Sequence, residues 1–134
     1  RREAVGIAVE ILDLTGLAEK AGHPAHSLTL PDRKRLELAR ALATGPRVLL
    51  LDEVMAGLTP TETSRLINLI RAVHGRGITI LLIEHVMKAV MALSQRVLVL
   101  NYGELIARGR PEDIVRDPRV IEAYLGEDPT GEEP

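Results

Sequence analysis

The stretch Val48-Leu49-Leu50-Leu51-Asp52-Glu53 runs from four apolar residues directly into two neighbouring carboxylates. Gly45-Pro46 precedes it and a segment containing glycine and proline follows it, so turn signals bound the apolar residues on both sides. A short, continuously apolar run of this kind is typical of a strand in a parallel sheet that is covered on both faces. We therefore expect residues 48–53 to form a buried strand that ends in a chemical site.

The two carboxylates occupy the position where open α/β sheets bind their ligands, which is the crevice beyond the carboxyl ends of the strands. Because side chains alternate along a strand, Asp52 and Glu53 point in different directions and suit different tasks. One carboxylate suits a metal ion and the other suits a proton. The simpler explanation is a polar pair that only marks the end of a strand, and the rest of the chain bears on this choice.

The residues before this strand predict helices. Amphipathic spacing predicts a helix over residues 3–14, with a short helical turn at residues 17–21. A second helix is predicted over residues 31–43, with Thr29 as its N-cap and Gly45-Pro46 closing it. Its apolar side is expected to consist of Leu36, Ala39, Leu42 and Ala43.

The residues after the strand predict a second strand at the same sheet edge. Thr59-Pro60-Thr61-Glu62 has the form of a capping box with proline at the first helical position, which predicts a helix between the two strands. Residues 78–83 are again apolar and end in Glu84-His85. Because the carboxyl ends of parallel strands meet at one edge of a sheet, this histidine is predicted to lie beside the two carboxylates.

The last third of the chain predicts a hairpin and short helices. The predicted elements are a helix at 86–93, strands at 97–100 and 104–107 around the turn Asn101-Tyr102-Gly103, and helices at 111–116 and 118–125. The acidic tail beyond Gly126 is predicted to be disordered. The order strand, helix, strand, helix, strand predicts an α/β fold with a mainly parallel sheet and flanking helices, preceded by a helical segment.

Composition excludes several classes of protein. The 134 residues are 46% hydrophobic and 27% charged, as in an ordinary globular domain. Seventeen basic residues against nineteen acidic ones give none of the basic field that nucleic-acid binding needs. Any membrane role is expected to run through a partner, because no apolar segment is long enough to span a bilayer. The absence of cysteine excludes a thiolate metal site and suits the cytoplasm.

Over residues 5–126 the sequence resembles the ATP-binding subunits of ABC transporters. Residues 48–53 resemble the Walker B strand, Ala56-Gly57-Leu58-Thr59 resembles the D-loop, and His85 resembles the switch histidine. The resemblance implies the C-terminal part of a P-loop NTPase fold, in which the cofactors are ATP and Mg²⁺. Thr59 stands where the D-loop usually has aspartate, which is expected to weaken communication between paired sites.

The resemblance also implies a role for each polar residue at the sheet edge. The reaction would be phosphoryl transfer from ATP to water. Asp52 would help to hold Mg²⁺, directly or through water, and Glu53 would act as general base toward the attacking water. His85 would reach the γ-phosphate and sense whether it is present.

The signature loop of the family, commonly LSGGQ, falls on Leu28-Thr29-Leu30-Pro31-Asp32. In the family this loop and the following helix N-terminus donate backbone N–H groups and a hydroxyl to the nucleotide held by the opposite subunit. Thr29 keeps a hydroxyl, but Pro31 has no N–H to donate. The resemblance therefore implies that Thr29, Leu30, Pro31 and Asp32 face the nucleotide of the opposite subunit, either through an asymmetric, partly degenerate site or with the phosphate anchored in a different way.

The phosphate-binding loop G-x-x-x-x-G-K-[ST] does not occur in this sequence. The polypeptide alone is therefore expected neither to bind ATP well nor to hydrolyse it, and we expect it to be the C-terminal half of a cassette. The expected parts are a partial helical subdomain at residues 1–45, an α/β core at 46–110, C-terminal helices at 111–126 and a tail at 127–134.

Within the superfamily, residues 56–62 (AGLTPTE) and the ending at 117–126 (DPRVIEAYLG) look most like the branched-chain amino acid importers. This resemblance implies transmembrane permease subunits and a second, identical or sister, ATP-binding subunit as partners. It implies a peripheral location on the cytoplasmic face of the plasma membrane, with no direct membrane insertion and no nucleic acid.

Three alternatives stay open at the level of the sequence. The lipopolysaccharide-export ATPases have a similar ending. A degenerate, non-catalytic interaction module would account for Pro31 and for the missing phosphate-binding loop. A cassette head acting on DNA is disfavoured, because such heads are split by long coiled coils and the segment before Thr29 is short and has no heptads.

Overall fold

The computed structural model describes residues 1–125, which form two compact units, the first spanning Arg1–Val86 and the second beginning at Met87. The predicted disordered tail at 127–134 lies outside the described residues. Of the helices in the described residues, none is long and apolar enough to cross a bilayer.

The first unit has three helices and a two-stranded parallel sheet. Its elements are α1 (Arg2–Leu14), α2 (Leu30–Leu42), β1 (Val48–Asp52), α3 (Pro60–His74) and β2 (Thr79–Ile83), with short 3₁₀ turns at Ala18–Lys20 and Ala25–Ser27. Strands β1 and β2 pair in parallel, from Val48 opposite Thr79 to Asp52 opposite Ile83. Helix α3 is the connection between them, so the predicted strand, helix, strand order is confirmed.

The core of this unit comes mainly from α2, β1 and α3, each of which buries one face. The buried apolar residues include Leu38, Ala39, Leu42, Leu49, Leu51, Leu66, Ile67, Ile70 and Val73. The predicted apolar side of α2 was partly wrong. It left out Leu38, which is buried, and it included Ala43, which is exposed at the end of the helix. Helix α3 begins as predicted, since Thr59 and Glu62 exchange both hydrogen bonds of the capping box.

Strand β1 is buried on one face only, which corrects the expectation of a strand covered on both faces. Leu49 and Leu51 are buried, whereas Val48 and Leu50 are exposed, Leu50 by 68%. Leu81 and Ile83 of β2 are also exposed. The residues of this unit therefore cover one side of the sheet and leave the other side as an exposed apolar surface.

The second unit pairs its strands in a different way. It contains α4 (Met87–Leu93), β3 (Val97–Asn101), β4 (Glu104–Gly109), α5 (Pro111–Ile114) and α6 (Pro118–Val120), followed by a π-helical turn at Ile121–Leu125. The predicted hairpin is present, because β3 and β4 are antiparallel. The described strands thus form two sheets of two strands, and β3 does not extend the parallel pair as a third strand.

The core of the second unit is small. It consists of Val99, Ala107, Ile114 and Val120, with Val97 and Ile106 packed against them. The Tyr124 hydroxyl donates a hydrogen bond to the carbonyl oxygen of Leu100, which ties the π-helical turn to β3.

Candidate functional site

The parallel register of the first unit brings the predicted catalytic residues together. Asp52 ends β1 opposite Ile83, and the backbone N–H of Glu53 donates to the carbonyl oxygen of Ile83 at 2.8 Å. His85 follows Ile83 by two residues, and its Nδ1 lies 3.5 Å from Glu53 Oε1. Asp52, Glu53 and His85 therefore share one edge of the sheet, as the order of elements predicts.

Glu53 adopts an unusual backbone conformation. Its φ of +49° lies in the left-handed region, which is uncommon for a residue with a side chain. The carbonyl of Glu53 accepts from the Ala56 N–H at 3.2 Å, so the chain turns sharply at this residue. Strained backbone of this kind is concentrated at functional sites, where the surrounding structure must hold it in place.

This edge of the sheet is open to solvent. The Glu53 and His85 side chains are 58% and 64% exposed, respectively. A groove of about 180 Å³ lies beside Asp52 and is lined by residues of α2, β1 and α3. This volume is below the roughly 300–1,000 Å³ of typical ligand pockets. Within residues 1–125 the Glu53–His85 pair therefore lies at an open edge, and the groove beside Asp52 is too small to enclose a nucleotide.

The D-loop residues, 56–59, pack against the signature-like loop of the same chain. Gly57 has φ +77°, and a Cβ added there would lie 3.0 Å from Leu30 Cδ2. Glycine is favoured at this position by its backbone conformation, and Leu30, which is 44% exposed, would have to move slightly to admit a larger residue. The D-loop-like segment and the signature-like loop of this chain thus lie against each other at Gly57 and Leu30.

Asp32 is the centre of a charged cluster at the start of α2. Its side chain is 6% exposed, and it accepts hydrogen bonds from Lys20 Nζ, from Thr29 Oγ1 at 2.9 Å and from Arg35 at 3.2 Å. Burial raises the pKa of Asp32, but the hydrogen bonds from Lys20 and Thr29 and the positive charges of Lys20 and Arg35 outweigh it. The pKa of this carboxyl is therefore held below its ordinary value.

This cluster changes how the signature-like loop is interpreted. Thr29 occupies the N-cap position of α2 as predicted, but its side chain makes no capping hydrogen bond. The Thr29 hydroxyl instead donates a hydrogen bond to the Asp32 carboxylate. Asp32 lies in the first turn of α2, where the helix dipole favours a negative charge. The Thr29 hydroxyl is therefore engaged within this chain, by a carboxylate of the same helix turn.

The sequence pattern missed two residues near the site. Lys20, the first of them, precedes the predicted residue Asp32 by 12 positions, so neither helical nor strand spacing indicated their pairing. Glu84 was noted only as the neighbour of His85, but its Oε1 accepts from the backbone N–H of Met55 at 2.9 Å. The one available signal was a carboxylate directly before the histidine at the end of an apolar strand.

Comparison with known proteins identifies what the chain is similar to. The family model described as "Branched-chain amino acid ATP-binding cassette transporter" matches residues 104–130. The branched-chain amino acid transport ATP-binding protein LivG of Salmonella typhimurium is 48% identical over 126 residues, which cover 93% of this chain and 49% of LivG. The chain belongs to the family of ABC transporter ATP-binding proteins. It spans about half the length of the curated relatives it matches.

Two further members of the family extend the comparison. The structure of MJ1267, an ATP-binding cassette of an ABC transporter, in its ADP conformation aligns with a TM-score of 0.86 at 32% identity. The alignment covers 95% of this chain and 52% of MJ1267. The lipopolysaccharide export ATP-binding protein LptB of Acidithiobacillus ferridurans is 39% identical over 116 residues, which cover 87% of this chain and 47% of LptB. The predicted resemblance and fold class are confirmed, and the branched-chain amino acid type matches at the higher identity.

Proposed function

We propose that this chain contributes part of the ATP-hydrolysis site of a motor subunit in a branched-chain amino acid importer. The observation that carries the proposal is the meeting of Glu53 and His85, 3.5 Å apart, beside Asp52 at the carboxyl ends of two parallel strands. Membership of the ABC family supplies the reaction class. We use "complete cassette" for a polypeptide of the relatives' length that contains these 134 residues.

The donor set at the sheet edge fits Mg²⁺ bound together with nucleotide phosphates. The described residues contain no group of three or more acidic, histidine or cysteine side chains placed to hold a metal. The Asp52 carboxylate at the end of β1 suits Mg²⁺, which is usually held by one or two carboxylates with phosphate oxygens and water completing its shell. Asp52 would hold the ion, and when bound it neutralises charge on the β and γ oxygens of ATP.

Glu53 and His85 then divide the remaining tasks. Glu53 is the general base, since its exposed carboxylate lies at the sheet edge and is free to accept a proton from a water molecule. His85 faces the same carboxylate and is the residue that senses the γ-phosphate. Because His85 Nδ1 lies near Glu53 Oε1, a change at the phosphate is transmitted to the base through a single side-chain contact.

The D-loop residues 56–59 contribute to nucleotide binding, and the signature-like residues Thr29, Leu30, Pro31 and Asp32 face the nucleotide of the opposite subunit. Two features weaken that contact. Pro31 has no N–H, and the Thr29 hydroxyl already donates to Asp32. We therefore propose an asymmetric pair of sites, in which the loop of this chain contributes less to phosphate binding than an LSGGQ loop does.

The apolar face of the β1–β2 sheet supports the proposal that more of a cassette packs here. Val48, Leu50, Leu81 and Ile83 are all exposed on the described residues, and the relatives are about twice as long as the matched region. Further strands carrying the phosphate-binding loop would cover this face. Residues 1–45, 46–110 and 111–126 would then be a partial helical subdomain, the α/β core and the C-terminal helices.

The partners and the location follow from the proposed motor role. Transmembrane permease subunits and a second ATP-binding subunit would assemble with the complete cassette on the cytoplasmic face of the plasma membrane. Lipopolysaccharide export is the second candidate, because LptB is similar over most of this chain. A non-catalytic interaction module is the third candidate, and it is favoured because the Thr29 hydroxyl already donates its hydrogen bond to Asp32.

Calorimetric titration of Mg²⁺ and ATP tests the proposal. The 134-residue chain is expected to give no saturable heat, whereas the complete cassette is expected to saturate and to hydrolyse ATP. A micromolar dissociation constant for the 134-residue chain would contradict the argument that its site is only partial. A complete cassette that binds ATP without turnover would favour the interaction module.

A further inference from the structure

Glu84 lies between the end of β2 and His85, and its side chain reaches the loop that follows β1. Its Oε1 accepts a hydrogen bond at 2.9 Å from the backbone N–H of Met55, a residue that is buried. The two residues are 29 positions apart in sequence. The contact therefore ties together two segments that only the parallel sheet brings side by side.

Three consecutive residues at the end of β2 contact this loop. The carbonyl of Ile83 accepts from the Glu53 N–H, the Glu84 carboxylate accepts from the Met55 N–H, and His85 faces the Glu53 side chain. The Glu84 contact is the one that reaches past Glu53. It thus fixes the direction in which the chain leaves a residue whose φ is +49°, a conformation that neighbouring contacts must hold.

The second carboxylate oxygen of Glu84 lowers the stability that this contact provides. Its Oε2 is buried and has no hydrogen-bond partner within the described residues. An unpaired buried polar atom reduces stability, so a carboxylate is a poor choice if its task is only to satisfy one backbone N–H. Local features that reduce stability in this way are concentrated at functional sites.

We propose that Glu84 is a positioning residue for Glu53. Its hydrogen bond to Met55 holds the loop at residues 53–58, so that the Glu53 carboxylate faces His85. The same bond fixes the start of the D-loop, because the Met55 carbonyl accepts from the Leu58 N–H at 3.2 Å. The role of Glu53 as a base rests on the proposed function, but the positioning contact itself requires no nucleotide.

Amide hydrogen exchange, measured by NMR on the 134-residue chain, tests the contact directly. In Glu84→Ala the Met55 amide should exchange at least about tenfold faster relative to the Val73 amide in the core of α3. Glu84→Gln should keep the slow exchange, because its amide oxygen still accepts the bond. Glu10→Ala, which removes a surface ion pair with Arg76, is the matched control and should leave the ratio unchanged.

Two outcomes would overturn the proposal. One is an equal change of the Met55 and Val73 amides in Glu84→Ala, which is the result of a general loss of stability. The other is a Glu84→Gln variant that exchanges as fast as Glu84→Ala. These readouts need no ATP, so they stand even if the complete cassette proves inactive and the proposed function fails.

The complete cassette provides a second readout, specific to positioning. Glu84→Ala should lower kcat while the dissociation constant for ATP stays at the wild-type value, because the base is displaced and the phosphate contacts are not. Glu84→Gln should restore kcat. An unchanged kcat in Glu84→Ala, measured in a cassette whose wild type hydrolyses ATP, would overturn the positioning role.

Discussion

Replacement of Asp32 by asparagine should destabilise the first unit. The carboxylate holds Lys20, Arg35 and Thr29 together at the start of α2. Removing one partner of a fully buried ion pair costs about 3–5 kcal/mol. Here 41% of the Lys20 side chain and 22% of the Arg35 side chain are exposed, so water restores part of their solvation. We therefore expect a loss of about 2 kcal/mol, or a decrease in Tm of about 8–16 °C for a unit of this size.

The pH dependence of this loss has a definite sign. The pKa of Asp32 is lower in the folded state than its ordinary value, because hydrogen bonds and the charges of Lys20 and Arg35 outweigh the effect of burial. Such a group stabilises the fold above its unfolded pKa of about 3.9, and the stabilisation is lost as the pH falls through the folded pKa. The difference between wild type and Asp32→Asn should be constant from about pH 8 to pH 5 and shrink below about pH 4.

Urea unfolding followed by circular dichroism across this pH range measures the difference. Asp13→Asn, at an exposed aspartate near the end of α1, is the matched control and should change the free energy of unfolding by less than about 0.5 kcal/mol. The reasoning is refuted if Asp32→Asn unfolds at the same urea concentration as wild type at pH 7. It is also refuted if the difference grows as the pH falls below about 4.

Two further predictions concern packing. Leu49→Ala should cost about 2–5 kcal/mol of unfolding free energy, because Leu49 is buried. Leu50→Ala, on the exposed face of the same strand, should cost less than about 1 kcal/mol. Equal losses in the two variants would contradict the one-sided burial of β1. Gly57→Ala should cost about 1–2 kcal/mol for its left-handed backbone alone, plus the clash with Leu30. Adding Leu30→Ala should remove the clash but not the backbone cost, and full recovery in the double variant would show that the backbone carries no strain.

The convergence of Asp52, Glu53 and His85 could be predicted from the sequence because it depends on few features. Two apolar runs joined by a well-capped helix imply neighbouring parallel strands, and parallel strands align their carboxyl ends. The polar residues that follow each run must then lie at the same edge. Local pattern and chain connectivity were sufficient, and no long-range detail was needed.

The features that were missed depend on information outside any short window of sequence. An apolar run shows that a strand has a buried side, but whether a second layer covers its other side depends on which elements pack there, as Val48 and Leu50 show. The pairing of Asp32 with Lys20 and of Glu84 with Met55 depends on loop conformation and on side-chain direction. Alternation of side chains predicts neither contact.

The most direct test of the central claim is the ATP turnover of a complete cassette in which Glu53 is replaced by glutamine. The variant should bind ATP as the wild type does, because glutamine keeps the size of the side chain and a general base acts on the attacking water rather than on the nucleotide. Its turnover should fall by about 10²–10⁴-fold, the usual contribution of a general base. Glu10→Gln, at a surface ion pair, should retain normal turnover. Turnover at the wild-type rate in Glu53→Gln would contradict the assignment of Glu53 as the base and, with it, the proposed site.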